Sequence, residues 1–342
     1  MEDCMSTQAA GDVSTSIGAP RPGSRHRRGQ ARWALWLILP TMALLAVVIG
    51  YPIVSAIVMS FQKDAGLDSA TGMFVQGGFA GFQNYAHWLF QQCSSPSGTV
   101  ACPPGSLGAQ FWNAVGVTFF FTVVTVVLET LFGLWMAIIM NRAFRGRGIV
   151  RAAILVPWAI PTAVTAKLWY FVFSAAGIAN ALIGQRVLWV SGEWSSRWAI
   201  IIADTWKTTP FMALLILAGL QLIPDELYEA SKVDGASTLQ RFWRVTLPLL
   251  KPALMVAVLF RILDALRIYD LPAILTGGGG GSGNATTTLS ILVVQQIRQG
   301  PNSASALSTI TFIIIFLVAF IFVRFLGANV VRTQESQQKG RL

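Results

Sequence analysis

Glu129, Lys167, Asp204, Lys207, Arg261, Asp264, Arg267 and Asp270 are ionisable residues set in stretches otherwise apolar enough to cross a membrane. Charges at membrane depth are costly and normally face a protein interior or a water-filled path. Asp264 lies three residues from both Arg261 and Arg267, so either pair can form on one helix face. Such pairs can lock helices together or border a partner subunit, because close opposite charges neutralise one another. Asp204, Trp206, Lys207, Thr208 and Thr209 combine charged, hydroxyl and indole groups just before Pro210, which loosens a helix. Trp158, Trp169 and Tyr170 in the preceding span add flat faces. Flat rings beside polar groups suit a sugar, so this set can line a sugar path. Aromatic anchoring at the membrane boundary is the competing account. Enzyme chemistry has little to work with: the only histidines are His26 and His87, and no carboxylate or His/Cys set converges.

A second constellation is a polar island between two apolar spans: Glu229-Ala230-Ser231-Lys232-Val233-Asp234-Gly235-Ala236, continued by Val245, Leu247 and Pro248. It reads as two short helices around a corner. Asp225 after Pro224 can cap the first, and Gly235 supplies the permissive backbone that ends it. Ser237 with Gln240 three residues later is a capping-box signature for the second helix. Pro248 is expected to stop that helix, and Leu239, Phe242, Trp243 and Val245 leave it a face to bury. A helix–corner–helix beneath a membrane domain suits a groove on a soluble partner.

The elements that must position these residues are long and apolar. Spans are expected at Trp33–Phe61, Phe111–Met140, Ile149–Phe173 (bent by Pro157 and Pro161), Trp198–Ile223, Pro252–Leu275 and Ala306–Leu326. Residues 1–32 are a Ser-, Gly-, Pro- and Arg-rich tail with too little apolar surface to order itself. A domain at 33–327 follows, with its polar loop at about 224–251, and 328–342 form a second tail. Six spans place both tails on one side, together with the basic loops around Arg142–Arg151 and Lys232–Lys251. The positive-inside rule makes that side cytoplasmic.

Composition agrees with an all-α integral membrane protein. Hydrophobic residues make up 54% of 342 and charged residues only 12%, with a mean hydropathy of +0.59. The net charge of +10 reports topology, and nucleic acid is not an expected partner. Cys93 and Cys102, in the loop after the first span, can close a small disulfide ring; Cys4 lies in the tail. A metal site is not expected, with His87 the only nearby imidazole. The run Gly277–Gly283 lacks the Lys-Ser/Thr ending of a phosphate loop, and no Walker-type sequence occurs elsewhere, so this chain is not expected to be the ATPase itself.

The spacing of Glu229, Ala230, Gly235, Leu247 and Pro248 resembles the EAA loop of binding-protein-dependent ABC importer permeases. Ser231 stands for the second Ala and Val245 for Ile. The resemblance runs from about Trp33 to Leu326. Trp206-Lys207-Thr208-Thr209-Pro210-Phe211, Val233-Asp234-Gly235-Ala236 and Leu263-Asp264-Ala265-Leu266-Arg267 look like the maltose-type sugar branch, and are similar to the permeases of mycobacterial-type trehalose importers. It implies a type I importer permease fold with six transmembrane helices in a bacterial plasma membrane. It also implies a second homologous permease, two ATPase subunits holding ATP and Mg²⁺, and an extracytoplasmic sugar-binding protein, often a lipoprotein. This chain would hold no cofactor and catalyse nothing. Glu229 would meet the ATPase and Gly235 would hold the corner, with Ala230, Ser231, Asp234, Ala236, Leu247 and Pro248 completing the loop. A disaccharide such as trehalose is the implied substrate, with maltose or glycerol phosphate as alternatives. An ion-coupled transporter using Glu129, Asp204 or Lys207 is a rival, but its internal repeats and paired broken helices are not evident.

Overall fold

A computed structural model describes residues 36–67, 72–95, 98–279 and 284–324. The tails at 1–32 and 328–342, Cys4 and part of the glycine run lie outside the described residues. The chain divides into two compact units, 1–55 and 56–342. Among the described residues, five helices are long and apolar enough to cross a membrane, or six if one bent pair counts as a single span.

The first is α1, Trp36–Ser60, with a wide turn at Ala46–Gly50. The loop after it is more ordered than its polarity suggests. Its strands are β1 (Gln62–Lys63), β2 (Gly66–Leu67), β3 (Phe74–Val75), β4 (Gly78–Phe79), β5 (Gln92–Ser95) and β6 (Gly98–Ala101). They pair antiparallel as β1 with β4, β2 with β3 and β5 with β6. A disulfide joins Cys93 to Cys102 across the β5–β6 hairpin. Helix α2 (Gln83–Leu89) buries Trp88, whose indole donates to the Ser303 carbonyl at 3.0 Å.

The second span is α3, Phe111–Asn141. The third is broken: α4 (Arg147–Ala159) and α5 (Thr162–Val172) meet at 91°. Pro161 disfavours helical backbone at Ile160, which is extended at ψ 132°. Pro157 is carried inside α4. After the short α6 (Ile178–Ile183) comes α7, Glu193–Gln221, starting five residues before the expected Trp198.

The polar loop opens with α8, Asp225–Val233. Asp225 does not cap it: Pro224 holds the cap position and Asp225 is the first helical residue, where its charge faces the positive helix end. The second helix does not stop at Pro248 either. It runs unbroken from Thr238 to Ala265 as α9, so the expected fifth segment Pro252–Leu275 is displaced toward the loop. A wide turn at Phe242–Thr246 precedes the proline, and Leu247 N–H reaches back to the Phe242 carbonyl. That wider spacing admits a residue with no N–H of its own. Nor do all the apolar residues expected to be buried in this helix find cover. Leu239 and Trp243 stay exposed, and Phe242 and Val245 are half-buried.

The chain then forms the short α10 (Asp270–Leu275), α11 (Leu289–Ile297) and α12 (Pro301–Phe322), the last span. Asp64 caps α12 from across the structure, accepting from Asn302 N–H at 2.7 Å and Ser303 N–H at 3.0 Å.

Buried side chains gather in three groups. Phe121, Ala166, Ile200 and Leu271 join α3, α5, α7 and α10. Met140, Met212, Ile216, Leu250 and Ala257 join α3, α7 and α9. Trp88, Phe111, Leu292 and Leu307 join α2, α3, α11 and α12. Glycines let α7 meet its neighbours closely. A Cβ on Gly133 would lie 2.9 Å from Met212 Cβ, and one on Gly219 only 2.3 Å from Ala253 Cβ. Helix α7 is thus held on both sides at backbone distance.

Candidate functional site: a helix corner and a buried ionic hub

The corner between α8 and α9 is set by local chemistry. Gly235 sits at φ +75°, the left-handed conformation that glycine adopts without penalty. Its N–H bonds the Lys232 carbonyl and Ala236 N–H bonds that of Ser231, each at 3.0 Å, closing the helix end in a Schellman pattern. Ser237 and Gln240 form the reciprocal capping box at the start of α9. Tyr228 turns inward, its hydroxyl 3.2 Å from that of Thr246, and so ties α8 to the wide turn of α9. Glu229, Ala230, Asp234 and Pro248 are exposed, while Ser231, Ala236 and Leu247 are half-buried. Val233 is 88% exposed and Trp243 59%, so the corner presents apolar side chains beside Glu229.

From Thr238 the 28 residues of α9 run about 42 Å at 1.5 Å per residue. Near its far end Arg261, 2% exposed, is the centre of an ionic hub. Its Nε and Nη2 donate to Glu129 of α3, the latter to Oε1 at 3.0 Å. Nη2 also donates to Asp204 Oδ2 of α7, and Nη1 to Asp264 Oδ2 at 2.8 Å. Thr208 donates both to Glu129 and, at 2.7 Å, to the Asp204 carbonyl one turn back. One guanidinium therefore pins three helices. Arg267 does not share the pairing with Asp264. It follows the end of α9, and its Nε satisfies the Leu263 carbonyl at 3.1 Å.

The other sequence-selected residues divide by position. Lys207 Nζ donates to the Ile160 carbonyl at 2.6 Å, filling the acceptor freed at the α4–α5 break. Thr209 is buried and bonded to the Thr205 carbonyl. Trp169 and Trp206 meet edge to face at 5.7 Å across α5 and α7. Around them Trp169 Nε1, Thr165 Oγ1 and Thr205 Oγ1 are buried without a hydrogen-bond partner among the described residues. Trp206 and Thr205 also line an apolar cavity of about 370 Å³ with Leu128, Phe132, Pro157 and Pro210. Trp158 stands apart, stacked on Phe211 at 5.9 Å, and Tyr170 is exposed. Asp204 thus belongs to the hub, while Trp169 and Trp206 form a separate aromatic pair. Sequence reasoning marked Glu129 and Arg261 as ionisable but did not place them in one hub with Asp204. Their presence in apolar spans was the available signal.

Residues 129–333 match the family described as the binding-protein-dependent transport system inner membrane component. The chain is 36% identical over 307 residues to the trehalose/maltose transport system permease protein MalF of Thermococcus litoralis, covering 88% of this chain and 96% of that protein. It is 36% identical over 311 residues to the trehalose transport system permease protein SugA of Mycobacterium tuberculosis, covering 90% and 92% respectively. A sulfoquinovosyl glycerol transport system permease protein of Agrobacterium fabrum is 34% identical over 257 residues, covering 73% of this chain and 76% of that protein. Among solved structures, a bacterial ABC transporter involved in the import of alginate aligns with a TM-score of 0.67 and 22% identity. That alignment covers 90% of this chain and 99% of the other, a likeness of fold.

Proposed function

Because this chain belongs to the binding-protein-dependent transport system inner membrane component family, we propose that it is the permease subunit of an ATP-driven importer for a disaccharide, with trehalose first among candidates. The observation that carries the reading is the corner itself: a rigid, exposed helix–glycine–helix unit continuous with a membrane-crossing helix that ends in the ionic hub. Such a unit can take a push at its tip and deliver it across the membrane. The transport names of three relatives, each at least 34% identical, support a sugar or sugar-like solute. The Trp169–Trp206 pair, with an indole N–H and two hydroxyls unpartnered beside it, supports a sugar path on α5 and α7, since ring faces and free donors suit a polyol. The reading calls for a second permease, two ATPase subunits with ATP and Mg²⁺, and a sugar-binding protein outside the membrane. It places the corner and both termini in the cytoplasm. Nothing in this chain's chemistry hydrolyses ATP; its role is to be moved and to open alternately to each side.

The test is uptake of labelled trehalose, with maltose as competitor, in cells deleted for this chain and complemented by wild type or Glu229→Ala. Uptake should vanish on deletion, return with wild type and fail with the variant, while capture by the binding protein persists. Full uptake with Glu229→Ala would remove the coupling role. Unchanged trehalose uptake in the deletion would remove trehalose.

A further inference from the structure

Where the ends of α3 and α7 meet the coupling corner, a second cavity of about 220 Å³ opens. Its polar lining is Asn141, Arg142, Tyr228, Thr238, Arg241 and Thr246, with no carboxylate among them. The salt bridges formed among the described residues all lie elsewhere, on Arg197 and Arg261. Arg241 Nη2 donates to Thr238 Oγ1 at 3.2 Å, which fixes the guanidinium plane. Its Nε is shut off from solvent with no acceptor among the described residues. A buried donor left unpaired is costly, and more so when charged. Two arginines, an amide and hydroxyls make a lining rich in donors, and a planar guanidinium fork matches an oxyanion.

The depth of the cavity narrows the choice of anion. Its apolar lining is Ile138, Leu220 and Phe242, the first two lying just inside the ends of α3 and α7. These helices end at Asn141 and Gln221, so the polar rim sits where a span leaves the hydrocarbon and enters the headgroup layer. Two arginines beside apolar side chains at that level fit a phosphodiester that carries acyl chains. A free anion needs only the rim.

We propose that this cavity binds the phosphate of an anionic phospholipid at the membrane face that carries the coupling corner. Only the name of the leaflet, cytoplasmic, rests on the transport reading. Bound lipid would bridge Arg142 beyond α3 to Arg241 on α9, and so brace the corner against the span beside it. The angle at which a push enters α9 would then depend on the lipid.

Native mass spectrometry of the purified full-length chain tests this directly. The probes are phosphatidylglycerol, phosphatidylcholine and inorganic phosphate. Both lipids carry the phosphodiester, but the choline ammonium of phosphatidylcholine would meet Arg142 and Arg241 as a like charge, so phosphatidylglycerol should be retained about tenfold more tightly. The preference should be lost in Arg142→Gln/Arg241→Gln, partly lost in Arg241→Lys (charge kept, fork removed), and kept in Arg186→Gln at the other end of α7. Equal retention of the two lipids overturns the proposal. So does a monodisperse double variant that keeps the preference. If the double variant is not monodisperse, Arg241→Lys decides alone: an unchanged preference overturns it. Displacement of phosphatidylglycerol by millimolar inorganic phosphate would assign the rim to a free anion and overturn the lipid. None of these readouts depends on whether the chain imports a sugar.

Discussion

Replacing Arg261 by Met would strand the carboxylates it now neutralises. Glu129 is fully buried and Asp204 nearly so, and each is paired with this guanidinium. Removing one partner of a buried ionic group costs about 3–5 kcal/mol, because the charge left behind has lost both water and its counter-ion. Asp264 adds little, since its side chain is 66% exposed and water can replace the arginine. At roughly 2 °C per kcal/mol for a large domain, the melting temperature should fall by about 6–10 °C. The assay is thermal unfolding of the full-length protein in one detergent at neutral pH, read by tryptophan fluorescence. A combined variant, Arg261→Met with Glu129→Gln and Asp204→Asn, removes the charges together and should recover more than half of the loss. A single variant as stable as wild type would refute the account of the hub. So would a combined variant worse than the single one, because the cost would then arise from shape and not from stranded charge.

Gly219→Ala should disturb the crossing of α7 and α9, since the new methyl lands 2.3 Å from Ala253 Cβ and 2.9 Å from Leu250 Cδ1. Overpacking of this kind costs about 1–3 kcal/mol, so the melting temperature should drop by a few degrees; Gly116→Ala, which meets nothing within 4 Å, is the control. Asp64→Ala should cost about 1 kcal/mol by uncapping α12, and Asp64→Asn less, because an amide oxygen can still accept. Limited proteolysis of the β1–β4 region should speed up in the Ala variant; unchanged cleavage would mean the cap does not hold the loop.

What the sequence disclosed was local. Membrane spans are visible because length and apolarity are properties of consecutive residues, and the kink at Pro161 follows from a single dipeptide. The corner was legible for the same reason: Gly235, Ser237 and Gln240 act within a few residues of one another. Pro248 misled because a proline reads as a stop unless the turn before it widens, and nothing local announces the wide turn at Phe242–Thr246. The hub was half legible. Each charge was conspicuous in its span, yet Asp204 and Glu129 stand 57 and 132 residues from Arg261, so the pairing waits on how helices cross. Arg261 with Asp264, three residues apart, was the one contact that helical spacing could supply. Those crossings are set in part by Gly133 and Gly219, whose role appears only when the opposing backbone is in view.

The cap on α12 has a consequence for how the chain is made. Asp64 and its two N–H partners are separated by 238 and 239 residues, and Trp88 by 215 from the carbonyl it bonds. At about 5–20 residues per second, Asp64 leaves the ribosome roughly 12–48 s before the amides it caps. During that interval the disulfide hairpin can close and the loop can lean on α3, where Trp112 Nε1 donates to the Leu89 carbonyl at 3.1 Å, but its ties to α12 are missing. The last span is the clasp. Its insertion ends the wait, and a nascent chain stalled before residue 301 should display an unfastened loop to any protease on that side of the membrane.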